Sequence, residues 1–199
     1  YYILVVIKTN EGHMNIFVLN RDPIVSAIEQ CDKHVVKMPT ESAQMLSTAH
    51  RILDGYVEKR PSKSGKRMID YWVHPDSNLE NVLYKAVHHK HPSTMWTMQS
   101  NNNYNWYYVH FCALCDEYEF RYGRKHGADL RLREILASPP KNIPVGYKTQ
   151  QPLAMKSNPE CMMSDVVESY RAFYQTKQER FKMVWSKRPI PEWFVLKTA

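Results

Sequence analysis

Residues Cys31–Gly55, CDKHVVKMPTESAQMLSTAHRILDG, decide the fold. Val35, Met38, Ser42, Met45, Ala49 and Leu53 recur every three or four positions, the period of a helix with one side against a core. A second stripe, His34, Lys37, Glu41, Gln44 and Thr48, has the same spacing and carries an imidazole, an ammonium, a carboxylate, an amide and a hydroxyl. A solvated face beside a core face accounts for both stripes. The alternative is that Glu41 and His34, two turns apart on one side, look into a cleft. Pro39 removes an intrahelical hydrogen bond, which predicts a kink or two shorter helices. Gly55 suits the end of the helix.

On the N-terminal side, YYILVVIK and MNIFVLN are β-rich runs separated by TNEGH, a turn-like segment that predicts a small N-terminal β-hairpin. His13-Met14 reads as a junction, which makes residues 1–13 an extension or tag and Met14 the natural start. Asp22-Pro23 opens a short helix to about Gln30. On the C-terminal side, KRPSKSGKR (Lys59–Arg67) reads as a mobile basic surface loop. Ser77 and Glu80 form a capping-box pattern that starts a helix through Leu79, Val82, Leu83 and Ala86. Pro92 opens the next helix, which gives way near Ser100 to a long one burying Tyr104, Tyr107, Phe111, Leu114, Cys115 and Tyr118. Another helix covers Leu130–Leu136. Prolines 139, 140, 144, 152 and 159 make 138–159 an extended wrap. Ser164 is expected to cap a last helix to Trp185, with Val167, Tyr170, Tyr174, Phe181 and Val184 inward. The expectation is mainly α: a single-domain helical bundle over 14–194, with an N-terminal hairpin, a Pro-rich wrapping loop and a short tail, 195–199.

The 199 residues carry 27 Lys and Arg against 20 Asp and Glu, so the chain is basic, with a net charge of +7. A polyanionic partner, DNA above all, fits that balance. No apolar run approaches the ~20 residues of a membrane span. Four cysteines in a chain of this size do not make a disulfide framework, and a reduced, cytoplasmic setting is expected. Six glycines and the absence of a nucleophile elbow argue against a backbone phosphate cradle or an activated Ser or Cys.

Cys112-x-x-Cys115, with Cys31 and His34 or with the histidines at 88, 89 and 91, offers zinc-type ligands. Both cysteines fall mid-helix among aromatics, where a thiol behaves as a small hydrophobe. No metal site and no cofactor are assigned. Lys33, His88, His89 and Lys90 are candidate phosphate contacts, the last three just before a helix N-terminus. Gln99, Asn102 and Asn103, flanked by Trp96 and Trp106, combine amides and aromatics in the way a displaced nucleotide requires. Glu117 and Arg121 are spaced as an intrahelical pair.

Taken together, Asp32-x-His34, Glu41 seven residues further on, His91-Pro92 opening a helix and the Glu117–Arg121 helix end resemble the helical pyrimidine-dimer DNA glycosylases of phages and bacteria. The likeness spans about Cys31–Arg124. It implies a helical protein that binds duplex DNA, displaces a damaged or modified base and cleaves its glycosidic bond, within a host cytoplasm if phage-encoded. Glu41 matches the family's catalytic Glu, with His34 beside it. Lys37, Gln44, His91, Trp96, Gln99, Asn102, Asn103 and Arg121 are then substrate contacts. The family's nucleophile is a free N-terminal amine; Tyr1, or Met14-Asn15, departs from that pattern and puts the lyase step in question. A non-catalytic nucleic-acid-binding accessory protein and a base-modifying enzyme are the alternatives.

Overall fold

A computed structural model describes residues 14–197. Among these residues the chain is mainly α, with seven α-helices and one two-stranded antiparallel hairpin. The first expected β-run and the extension at 1–13 lie outside the described residues. The second run, MNIFVLN at 14–20, is not a strand. Met14–Leu19 is buried, irregular chain in which Phe17 takes a positive φ of 53°, locally tied by the Asn15 Oδ1 that accepts from the Ile16 and Phe17 amides. The hairpin lies further along: β1 (Tyr56–Pro61) pairs with β2 (Met68–Val73), from Tyr56 opposite Val73 to Pro61 opposite Met68. The basic run at 59–67 therefore forms one strand end and the hairpin tip, where Gly65 supplies the left-handed turn (φ 69°).

Helix α1 (Pro23–Ile28) is capped by Asp22, whose carboxylate accepts from the Ile24 and Val25 amides. Helix α2 (Asp32–Asp54) runs unbroken through Pro39. An interior proline costs ~3 kcal/mol. Val35, Met38, Met45 and Leu46 are fully buried on this helix, and at 1.5–3 kcal/mol each they contribute roughly 6 kcal/mol or more, so burial wins. At its end Gly55 is extended, not left-handed (φ −101°). A side chain there would run into the Arg51 and Val73 carbonyl oxygens, so glycine serves close backbone approach.

Helix α3 (Ser77–Val82) is capped by Asp76 in place of Ser77, because Glu80 is drawn away to Arg51. Helix α4 (Pro92–Gln99) meets α5 (Asn101–Tyr122) at Ser100, whose hydroxyl accepts from the Asn103 amide. Tyr104, Tyr107, Phe111, Leu114 and Cys115 of α5 are fully buried against α2. Helix α6 (Gly127–Leu136) follows, then the expected Pro-rich strap.

Helix α7 (Val166–Gln175) is capped by Asp165 and ends ten residues short of the expected Trp185, in a single 3-10 turn. The chain must extend there, because the Asp32 amide donates to the Val184 carbonyl (2.8 Å) and Asp32 accepts from the Ser186 amide (2.9 Å). Val184 is accordingly exposed and Trp185 buried.

One side chain fastens the hairpin to α2. The Arg51 guanidinium is buried and donates to the carbonyls of Tyr84 (2.7 Å), Trp72 (2.8 Å), Glu80 (3.0 Å) and Leu83 (3.1 Å), and to the Glu80 carboxylate. Truncating one partner of such a buried pair costs about 3–5 kcal/mol. Arg51→Ala should lose that much stability in urea denaturation. A loss under about 1 kcal/mol would mean the guanidinium is not the fastening.

Candidate functional site

Residues seven apart on a helix turn through about 700°, so α2 presents His34 and Glu41 on one side, ~10 Å apart along its axis. Glu41 keeps only 13% of its side chain exposed. Its Oε1 accepts from Lys37 Nζ at 2.8 Å, and its Oε2 is shielded from solvent with no hydrogen-bond partner. Lys37 is half exposed, so the pair itself is worth only a few tenths of a kcal/mol. The buried Tyr107 hydroxyl lies close enough that, after burial itself, the Glu41 charge helps hold its proton on. Gln44 is half-buried one turn further along.

His34 is not in a cleft. It is buried, stacked on Phe17 (centroids 4.5 Å apart) and edge-on to Phe181 (5.7 Å), with Nδ1 at 2.7 Å from the Tyr174 hydroxyl. Burial first, then Lys177, Lys37 and Lys33, push its pKa down to about 3. A neutral, enclosed imidazole cannot exchange protons with a substrate at neutral pH, so His34 organises the core beside Tyr174.

The expected phosphate contacts do not converge. Lys33 stands over the Phe181 ring (4.2 Å) on the first turn of α2. The histidine turn joins α2 at Thr48, whose hydroxyl accepts from the Val87 amide, about 22 Å further along the axis. There His88 and Lys90 are exposed, His89 lies edge-on to Trp72, and His91 caps α4 by accepting from the Ser93 amide.

The amide cluster has a different employer. Asn103 donates to the Trp96 carbonyl and Thr149 Oγ1 and accepts from the Thr149 amide; Asn102 donates to the Gly146 carbonyl. Trp96 Nε1 donates to the Thr149 carbonyl, and Gln99 Oε1 lies 3.5 Å from Thr149 Oγ1. Together they satisfy the backbone of a strap that has no ladder of its own. Arg121 is likewise committed: buried, it donates to Glu117 (2.7 Å), Asp32 (2.9 Å) and the Ile28 carbonyl (2.9 Å). Glu117 also holds Arg188 through two bonds of 3.0 and 2.9 Å. A cavity of about 320 Å³ opens beside that pair, lined by Ile24, Ile28, Val109 and Phe120; Glu41, His34 and His91 do not line it.

Sequence reading passed over the far end of α2. His50 and Asp54, one turn apart on α2, meet His74 at the end of β2, with ligand-type atoms all within 4.8 Å. The signal His-x-x-x-Asp is present in the sequence. His74 is twenty residues further on and is delivered only by the hairpin.

Burial also fixes an acid response. His34 has an ordinary pKa of 6.5 when unfolded and about 3 when folded, so the unfolded chain binds the proton first as pH falls. Its contribution is complete above about pH 6.5 and is lost downward from there, on the order of 2 kcal/mol by pH 5. His50 and His110, each lowered to about 4 by burial first, act in the same direction. Between pH 7 and 5, His34→Gln should lose correspondingly less stability than the native chain in urea titrations. Equal losses would show that His34 titrates normally.

Comparison with protein-family models, with curated proteins and with solved structures finds no match to this chain.

Proposed function

We propose that the protein processes nucleic acid as a DNA N-glycosylase, removing a damaged or modified base with Glu41 as the essential acid. One observation carries the reading: Glu41 Oε2 is a shielded carboxylate oxygen with no partner, while Oε1 is held by Lys37. An unsatisfied buried acceptor costs about 1–3 kcal/mol. A fold retains such a cost where the group is used, and a carboxylate in a partly dry setting is suited to protonating a leaving base or stabilising an oxocarbenium-like sugar. Lys37 orients the other oxygen, and Gln44 lies one turn on as a base-edge contact. Basic charge supplies the salt-sensitive affinity for the phosphate backbone.

The hairpin tip favours a second reading, a binding protein without catalysis. Lys63, Lys66 and Arg67 are exposed there, and none joins an ion pair among the described residues, whereas Lys59 and Arg60 are paired to Asp70 and Glu58. Unpaired cations on a projecting strand loop suit a phosphate backbone.

The two readings separate in one experiment. With duplex DNA carrying a pyrimidine dimer or an oxidised or deaminated base, Glu41→Gln should abolish base release and leave DNA affinity within about twofold. If native protein releases no base from any of these, or if Glu41→Gln loses affinity in step with activity, the glycosylase reading fails. Neutralising Lys63, Lys66 and Arg67 together should weaken binding and reduce the salt slope by up to about 3, near 0.9 per phosphate contact.

A further inference from the structure

We propose that His50, Asp54 and His74 form a binding site for one divalent transition-metal ion, of which Zn²⁺ is the natural occupant by ligand type. This proposal is independent of the Glu41 reading. Two observations point to the ligand. The three side chains place their donor atoms within 4.8 Å of one another. In addition, His50 Nδ1 and His74 Nε2 are shielded from solvent and have no hydrogen-bond partner, on imidazoles that are 97% and 95% buried by their 3% and 5% residual exposure.

The hydrogen bonds around His50 fix which nitrogen is free. The Tyr104 hydroxyl donates its one proton to the Leu136 carbonyl (2.9 Å), so towards His50 Nε2 (2.9 Å) it accepts. His50 therefore carries its proton on Nε2 and keeps Nδ1 as a bare lone pair. With its single proton on Nε2 and Nδ1 bare, this imidazole is neutral. A metal requires that state, together with an outer hydrogen bond that orients the ring.

Asp54 is oriented in the same way. Its Oδ2 accepts from the Lys141 amide (2.8 Å), and its Oδ1 from the Asn142 amide (2.8 Å) and Asn142 Nδ2 (3.0 Å). Oδ2, with one hydrogen bond, keeps a lone pair for a cation, whereas Oδ1 is fully engaged by Asn142. His74 is brought up by the Arg51–Glu80 clamp, since its own amide donates to Glu80 Oε2 (2.8 Å). His74 Nδ1 accepts from the Asp76 amide (3.1 Å), so the neutral ring carries its proton on Nε2. Metal binding moves that proton to Nδ1 and breaks the bond from the Asp76 amide, at the residue whose side chain caps α3.

Tetrahedral zinc holds its donors about 3.3 Å apart, given bonds of about 2.0–2.1 Å, so the cluster must contract by ~1.5 Å at most. Two imidazoles and a carboxylate leave a fourth position for water or an anion, the arrangement of open rather than closed zinc sites. The four thiols are poor competitors: Cys31, Cys112, Cys115 and Cys161 all have pKa values raised by burial.

The test is a titration of the full chain, freed of metal by a chelator, with Zn²⁺ by calorimetry and with Co²⁺ by absorption. Native protein should bind one equivalent, gain thermal stability, and show cobalt d–d bands without a thiolate charge-transfer band. His50→Gln and His74→Gln, checked for folding by circular dichroism, should each weaken binding by on the order of a hundredfold or more, and Tyr104→Phe by about tenfold. Tyr104→Phe and Asp54→Asn also keep the test decisive should a histidine variant not fold. Absence of stoichiometric binding by the native chain, a thiolate band, or unchanged affinity in the folded variants would each overturn the proposal.

Discussion

A guanidinium with no access to water is the constraint on which this structure turns. Removing a charge from solvent costs several kcal/mol even after relaxation, and only a complete set of acceptors offsets it. Arg51 finds that set in the Trp72, Glu80, Leu83 and Tyr84 carbonyls and the Glu80 carboxylate. These groups come from the end of β2, from α3 and from the chain beyond it, so the charge can be buried only when all three are docked on α2. Glu80 extends the same bond set to the Tyr71 hydroxyl and the His74 amide. The Lys37–Glu41 pair, half exposed at its lysine, lies within a single turn of α2 and docks no second element.

The opposite end of α2 repeats the device. Asp32 and Glu117 share Arg121, Glu117 also takes Arg188, and Asp32 takes Ser186. Burial alone would raise the Asp32 carboxyl, but the Ser186 hydroxyl and amide and Arg121 outweigh it and hold its pKa below the ordinary range. What looks from sequence like one intrahelical pair at 117 and 121 is a junction of α2, α5 and the C-terminal segment. It draws 184–188 out of helix and into an extended path across the start of α2.

Local signals read from the sequence were sound wherever the local chain decides the outcome. The core stripe of α2, the Ser100 junction, the inward aromatics of α5 and the Pro-rich strap all follow from periodicity, capping and proline chemistry. Readings went astray where a distant partner overrides the local pattern. Pro39 did not break α2, because burial on both sides of it outweighs one missing hydrogen bond. Ser77 and Glu80 have the capping-box spacing, but Arg51 claims the glutamate. The hairpin at 56–73 was hidden by basic residues at its tip, which are typical of an exposed strand and resemble a loop in composition. The candidate site was only half legible. Glu41 is 13% exposed beside Lys37, whereas His34, Asn103 and Arg121 are polar groups whose partners come from α7, from the strap and from α1, α2 and α5 respectively. A polar residue at a helical spacing cannot tell a cleft from a buried hydrogen bond.

The distribution of unmatched atoms along α2 sharpens that distinction. Among the buried side-chain atoms on or against this helix that lack a hydrogen-bond partner, Ser42 and Ser47 offer hydroxyls, whereas Glu41 Oε2, His50 Nδ1 and His74 Nε2 belong to groups that can carry charge or bind a cation. Glu41 and His50 are nine residues apart, or about 900° of helical rotation and ~13 Å of rise, so they leave the axis on opposite sides. One ligand cannot span them without passing through the helix. A metal at His50 would therefore not polarise a substrate at Glu41, and Glu41 would not ligate that metal. The same rod that His34 and Arg51 anchor at either end thus presents Glu41 and His50 to different walls of the protein.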